Sequence, residues 1–209
     1  MSEVTSQVWL VRHGETEWAA AGRHTGWRDI GLTANGEAQA RALAAVLGAM
    51  TFDRVWSSPL TRARSTCRLA GFEQRAVLID DLREWNYGDY EGRTAEEIRV
   101  ERPGWIIWKD GVLGGETVEE VGLRAARVLG RLCEPERLLI FAHGHLLRVL
   151  TAVWLGLPPV EARRFAFRPA AISVLGYENS YRVVKRWNWE AQLAPVTSTP
   201  TAGVIINKV

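Results

Sequence analysis

His13 and His143 occupy matching settings in the sequence. Each closes a short apolar run, Leu10-Val11-Arg12-His13 and Ile140-Phe141-Ala142-His143, and each is followed by a glycine, Gly14 or Gly144. A glycine beside a reactive side chain lets backbone approach an oxyanion, and a helix that begins directly afterwards aims its first amides at the same place. Arg12 stands at the end of the first run, and Arg62 comes shortly after a third, Val55-Trp56-Ser57. A guanidinium holds phosphate oxygens two at a time. Two arginines and two histidines carried to one sheet edge make an anion pocket. His143-Gly144-His145 also brings two imidazoles together, but no acid or cysteine cluster completes a metal set, so no metal is expected.

The elements that must position these residues follow from apolar spacing and capping signals. Val8 to Val11, Val55 to Ser57, Ala76 to Ile79 and Leu138 to Ala142 read as short buried strands. Ala38, Leu43, Val46 and Leu47 recur at helical spacing between Thr33, an N-cap, and Met50. Ser58-Pro59 offers an N-cap followed by proline at the first helical position, which would put Arg62 in the first turn of a helix. Thr117-Val118-Glu119-Glu120 is a capping box opening a helix expected to end near Cys133, and another helix is expected from about His145 to Leu155. Ile172 to Tyr177 and Tyr181 to Trp187 form a candidate hairpin.

Alternating strands and helices predict an α/β fold, a three-layer α/β/α sandwich with a mainly parallel central sheet whose ligands gather at the carboxyl ends of the strands. Residues 84–116, richer in Trp, Gly and charge, read as an inserted cap-like region over that edge, and residues 194–209 as a loosely held tail of one domain spanning 1–209.

Composition sets the outer limits. With 26 basic and 24 acidic residues the net charge is +2, too small for a surface that coats a polyanion, so no nucleic-acid partner is expected and any anion site must be local. No apolar run reaches membrane-spanning length and the start lacks a signal-peptide pattern, so no membrane association and a cytoplasmic location are expected. Cys67 and Cys133 are far apart and read as buried thiols. The ten Trp are assigned to core and pocket walls.

The segments LVRHGETEW (10–18), GRHTGWRDIGLT (22–33), SSPLTRARST (57–66), LREWNYGDYEG (82–92), GGET (114–117) and FAHGH (141–145) together resemble the histidine phosphatase superfamily, which contains the phosphoglycerate mutases. The resemblance runs in the family's order over nearly all of the chain to about residue 155. It implies a His13 nucleophile that takes up phosphate as phosphohistidine, a cradle of Arg12, Arg62 and His143, a proton donor at Glu84, and no metal or cofactor. Those roles are chemically coherent. A neutral imidazole attacks phosphorus in line while cations hold the equatorial oxygens, and an acid protonates the leaving alkoxide before activating water in the second step. The predicted substrate-binding set around them is Glu15, Thr16, His24, Thr25, Gly26, Tyr87 and Gly144, with Trp18, Trp27 and Trp85 as further wall candidates.

Cofactor-dependent mutases of the family place Asn where this chain has Ala19, and follow the catalytic glutamate with Arg-His where it has Trp85-Asn86. The run from Asp80 to Gly92 resembles instead the branch containing sedoheptulose bisphosphatase and related acid phosphatases. The expected function is hydrolysis of a small phosphorylated metabolite, a sugar phosphate by this resemblance. A phosphoglycerate mutase and a catalytically idle phospholigand-binding module are the alternatives, and the sequence leaves a homo-oligomer open.

Overall fold

The structure, a computed structural model, describes residues 6–133 and 136–191. The six strands are β1 (Gln7–Arg12), β2 (Arg54–Ser57), β3 (Ala76–Leu78), β4 (Arg137–Ala142), β5 (Ala171–Glu178) and β6 (Tyr181–Glu190), in the sheet order β3-β2-β4-β1-β5-β6. The first four are mutually parallel, and β5 and β6 form an antiparallel hairpin against β1. The helices are α1 (Glu17–Ala20), α2 (Ala34–Leu47), α3 (Thr61–Leu69), α4 (Ala95–Glu101), α5 (Ile107–Asp110), α6 (Val118–Leu129) and α7 (Gly144–Trp154).

Alternation along the central strands divides the interior in two. Val8, Leu10, Leu138, Ile140 and Ala142 pack with Val121, Ala125, Leu146 and Leu150 of α6 and α7. Trp9, Val11, Leu139 and Phe141 pack with Leu43 and Leu47 of α2 and Cys67 of α3. Successive side chains of a strand point to opposite faces, so a sheet covered on both sides reads as an unbroken apolar run, as β4 does. This is the expected α/β/α layering.

Register then fixes the chemistry. β1 pairs with β4 so that Arg12 lies opposite Ala142, and β2 pairs with β4 so that Ser57 lies opposite Phe141. The ladder continues one step past the strands, with His13 N–H donating to Ala142 O at 3.0 Å and Ser58 N–H to Phe141 O at 2.9 Å. His13, His143 and Ser58 therefore leave the sheet side by side at its carboxyl edge. Residues 84–116 contain only short helices and pair with the 22–33 loop: His24 N–H donates to Arg93 O at 2.9 Å and Trp27 N–H to Glu91 Oε1 at 2.7 Å.

Three local expectations need correction. α3 starts at Thr61 behind Leu60, not at Pro59, and Ser58 does not cap it. The Ser58 hydroxyl is taken by His143, and Asp29 does the capping from another loop, its two carboxylate oxygens each 2.7 Å from the Thr61 backbone nitrogen and hydroxyl. α6 ends at Leu129 with Gly130 as its C-cap, short of Cys133. Of the two cysteines only Cys67 is buried; Cys133 is exposed. Burial pushes the Cys67 thiol up to about 12. The expected tail, 194–209, lies outside the described residues.

Gly14 is held in close packing between α2 and α3. A Cβ there would stand 2.3 Å from Gly36 O in the first turn of α2, while Gly14 N–H donates to Thr66 Oγ1 of α3 at 3.0 Å. Close backbone packing demands the glycine. Gly14→Ala should therefore lower stability by about 1–3 kcal/mol, the usual cost of overpacking. A shift of the urea midpoint at unchanged slope would register it, and an unchanged midpoint would contradict this packing.

Candidate active site

A cavity of about 220 Å³ opens where the strands end. Eight of the predicted residues line it: Arg12, His13, His24, Thr25, Arg62, Glu84, Tyr87 and Gly144. His143 lies against it, fully buried, with its ring centroid 5.3 Å from that of His13. Glu15, Thr16 and Gly26 do not line it. The Glu15 carboxylate accepts Thr33 Oγ1–H at 2.8 Å and Asn35 Nδ2–H at 3.1 Å, so it ties the first loop to α2. Thr16 is the N-cap of α1, and Gly26 offers its carbonyl to Arg62. Trp85 is fully buried, and Trp27 holds the Glu84 backbone through its indole N–H, 2.8 Å from Glu84 O.

The two imidazoles are held in defined tautomers. His13 Nδ1 is 2.7 Å from Gly14 O, and a carbonyl can only accept, so the ring proton is on Nδ1 and Nε2 carries the lone pair. His143 Nε2 is 2.7 Å from Ser58 Oγ. Ser58 is fully buried, and beside Leu60 N–H, which donates to its oxygen at 3.3 Å, His143 Nε2 is the one acceptor its hydroxyl proton has among the described residues, so we assign that proton to the Nε2 bond and the ring proton of His143 to Nδ1. Burial holds both imidazoles well below their ordinary range, and the charges of Arg62 and Arg12 act in the same direction. Both rings are neutral at neutral pH.

The cations are fixed by backbone carbonyls rather than by acids. Arg62, fully buried in the first turn of α3, donates to Gly26 O at 2.7 Å and Arg28 O at 2.9 Å, and Arg12 donates to Phe167 O. Burial works against both charges, and Glu84 is the largest influence favouring them. Among the described residues four buried side-chain polar atoms have no hydrogen-bond partner, and three of them are Arg12 Nε, Arg62 Nε and His143 Nδ1. An unsatisfied buried donor costs about 1–3 kcal/mol. Three such donors at one strand edge point to an acceptor-rich, multiply charged ligand such as phosphate. Gly144 leaves room beside them: a Cβ there would stand 3.3 Å from Arg12 Nε and Cζ, so the guanidinium would have to shift by a few tenths of an ångström.

Glu84 is the only carboxylate in the cavity lining of the described residues. Its Oε1 accepts Trp85 N–H at 3.0 Å and Leu146 N–H at 2.9 Å, and its Oε2 accepts His145 N–H at 3.1 Å. A carboxylate has about four lone-pair sites. Oε1 is therefore saturated by backbone, and Oε2 retains the one position at which a proton can be carried.

The lining also contains residues that sequence reasoning missed as site members: Arg23, His145, Arg148 and Phe167. Tyr87 Oη is 2.6 Å from His145 Nδ1. Burial keeps that phenol protonated and that imidazole neutral. Arg148 did leave a signal, as the one formally charged side chain in the otherwise apolar helix GHLLRVLTAVW; Phe167 left none. Among the described residues no group of three or more His, Cys, Asp or Glu is placed to hold a metal ion. Nor is any helix among them long and apolar enough to cross a membrane.

Comparison with known proteins agrees with this architecture. The family described as "Histidine phosphatase superfamily (branch 1)" matches residues 8–190. An acid phosphatase of Mycobacterium tuberculosis is 38% identical over 178 residues, covering 83% of this chain and 87% of its own. Sedoheptulose 1,7-bisphosphatase of Saccharomyces cerevisiae is 39% identical over 191 residues, covering 75% of this chain and 70% of its own. A solved structure of a Mycobacterium tuberculosis open reading frame superposes with a TM-score of 0.84 at 35% identity, over 90% of this chain and 99% of that one.

The depressed imidazoles give a test with a definite sign. Near pH 5.5, about one unit below the unperturbed value, an ordinary imidazole is mostly protonated. Nitrogen-15 spectra should instead show His13 and His143 less protonated than that, with the neutral rings carrying their proton on Nδ1. Attack by His13 should fail only as pH falls through its lowered pKa. Titration of either ring at 6.5 or above would contradict the burial argument.

Proposed function

The chain belongs to the histidine phosphatase superfamily and is a phosphoric monoester hydrolase, and we propose that it releases phosphate from sugar phosphates through a phosphohistidine on His13. The observation that carries this reading is the His13 ring itself. Its Nδ1–H is committed to Gly14 O, which leaves a bare Nε2 in a cavity shared with Arg12, Arg62 and Glu84.

In the first step Nε2 attacks phosphorus and the bond to the ester oxygen breaks, its electron pair leaving with that oxygen. Arg12, Arg62 and the Nδ1–H of His143 stabilise the equatorial oxygens, and because they are held before substrate arrives no reorganisation is needed at the moment of reaction. The leaving oxygen takes its proton from Glu84 Oε2. In the second step water attacks phosphorus, the N–P bond breaks back to Nε2, and Glu84 accepts the water proton.

Substrate class rests on the rest of the lining. His24, Tyr87, His145 and Arg148 give it polar and charged groups suited to hydroxyls and a further anionic group, and a relative named sedoheptulose 1,7-bisphosphatase fits such a ligand. The mutase alternative is disfavoured by the two residues after Glu84. The Trp85 indole is committed to Glu116 O at 2.7 Å, and the Asn86 amide oxygen accepts Gly88 N–H at 3.0 Å, so neither presents a cation to a substrate carboxylate.

Phosphate release from a panel of sugar phosphates should proceed at full rate in chelator, because the protein's own cations provide the charge stabilisation. Activity lost in chelator and restored by one divalent metal would overturn this. Glu84→Gln should slow phosphoenzyme formation from an alkyl phosphate by about 10²–10⁴-fold, the usual worth of general acid catalysis, and far less from a nitrophenyl phosphate, which needs no proton to leave. Equal slowing for both would remove Glu84 as the proton donor.

A further inference from the structure

Arg124 lies in α6, behind the wall of the cavity and outside its lining. It is 8% exposed, and all five of its N–H donors are engaged. Nε and Nη2 grip the Glu116 carboxylate at 2.7 and 2.8 Å; Nη1 reaches Asp81 O at 2.8 Å and Arg83 O at 2.9 Å; and Nη2 reaches Glu84 O at 3.2 Å. Glu116 holds the same strip of chain from its other side. Its Oε2 accepts Asn86 N–H at 2.9 Å, its carbonyl accepts the Trp85 indole N–H at 2.7 Å, and its own N–H donates to Asn86 O at 3.0 Å.

We propose that Arg124, locked to Glu116, is the positioning residue for Glu84, setting the backbone from Asp81 to Asn86 so that Glu84 Oε2 meets the leaving oxygen. The inference rests on the reading of Glu84 as proton donor. Two features separate it from a merely structural brace. First, a buried ion pair adds little net stability, since desolvation of two charges offsets their attraction. Second, the three carbonyls that Arg124 takes belong to Glu84 itself, to the residue before it and to the turn that leads into it. The brace and the α7 amides grip opposite ends of one residue: the backbone of Glu84 is fixed by Arg124 and Trp27, and its carboxylate by His145 and Leu146. A planar fork with five donors suits this task, and an ammonium with three does not.

The test measures phosphoenzyme formation by rapid quench in Arg124→Lys and in Glu116→Gln, with an alkyl phosphate and a nitrophenyl phosphate. A displacement of about 1 Å can cost roughly 10²-fold. The alkyl rate should accordingly fall about 10- to 100-fold, and the nitrophenyl rate by less than about threefold. Inhibition by inorganic phosphate should be unchanged, because Arg12, Arg62 and His143 are untouched. In a Glu84→Gln background Arg124→Lys should add less than about twofold to the alkyl defect, since residues acting through one group are not additive. Equal slowing of both substrates, full additivity with Glu84→Gln, or failure of both variants to fold would overturn the proposal in favour of a structural role. Leaving-group dependence in Glu84→Gln without any in the two variants would overturn it alone. Absence of that dependence in Glu84→Gln itself would remove the proton-donor reading, and the proposal with it.

Discussion

The parallel pairing of β1 with β4 is the constraint on which the rest depends. With Arg12 opposite Ala142, the next residue on each strand is a histidine, and the two rings come within 5.3 Å of each other. A slip of one residue would turn every side chain of β1 to the other face and separate the pair. Register is protected by burial, because Val8, Leu10, Val11 and all of β4 from Leu138 to Ala142 are almost wholly inaccessible to solvent. Fully burying one such side chain is worth about 1.5–3 kcal/mol, so misregister would forfeit several of these contributions together. The apolar core, in this sense, is what aligns the nucleophile with its cradle.

That same burial sets the electrostatics. Arg62 is fully buried and Arg12 partly so, neither with a salt-bridge partner among the described residues, and both are held by carbonyls, of Gly26, Arg28 and Phe167. Burial, reinforced by their charge, keeps the adjacent imidazoles unprotonated, so His13 needs no separate base to release its lone pair. Glu84 is the one lining carboxylate to oppose them. A pocket biased in this way is matched to a group that brings several negative oxygens and can satisfy the unpartnered donors at once.

Much of this architecture is legible in the sequence because it is local. Thr33 and Thr117 cap their helices through hydrogen bonds three residues ahead, and the strands that deliver the histidines are short apolar runs. What is not legible comes from contacts distant in sequence. Ser58 looks like a helix cap, but its hydroxyl serves His143, 85 residues away. Asp29, in a loop with no helical signal, caps α3 across 32 residues. Glu15 sits in the family motif beside His13, yet its carboxylate turns to Thr33 and Asn35 rather than to the cavity. The Glu84 carboxylate meets backbone amides 61 and 62 residues on, a contact that no pattern around Glu84 could reveal.

The central claim is that Nε2 of His13, bared because Nδ1–H is committed to Gly14 O, is the atom that bonds phosphorus. Rapid quench with labelled substrate, followed by mapping of the acid-labile, base-stable phosphate to a residue and a ring nitrogen, tests it directly. The account predicts phosphate on His13, attached at Nε2, and none in His13→Ala. Phosphate on His143, attachment at Nδ1, or full turnover by His13→Ala would contradict it.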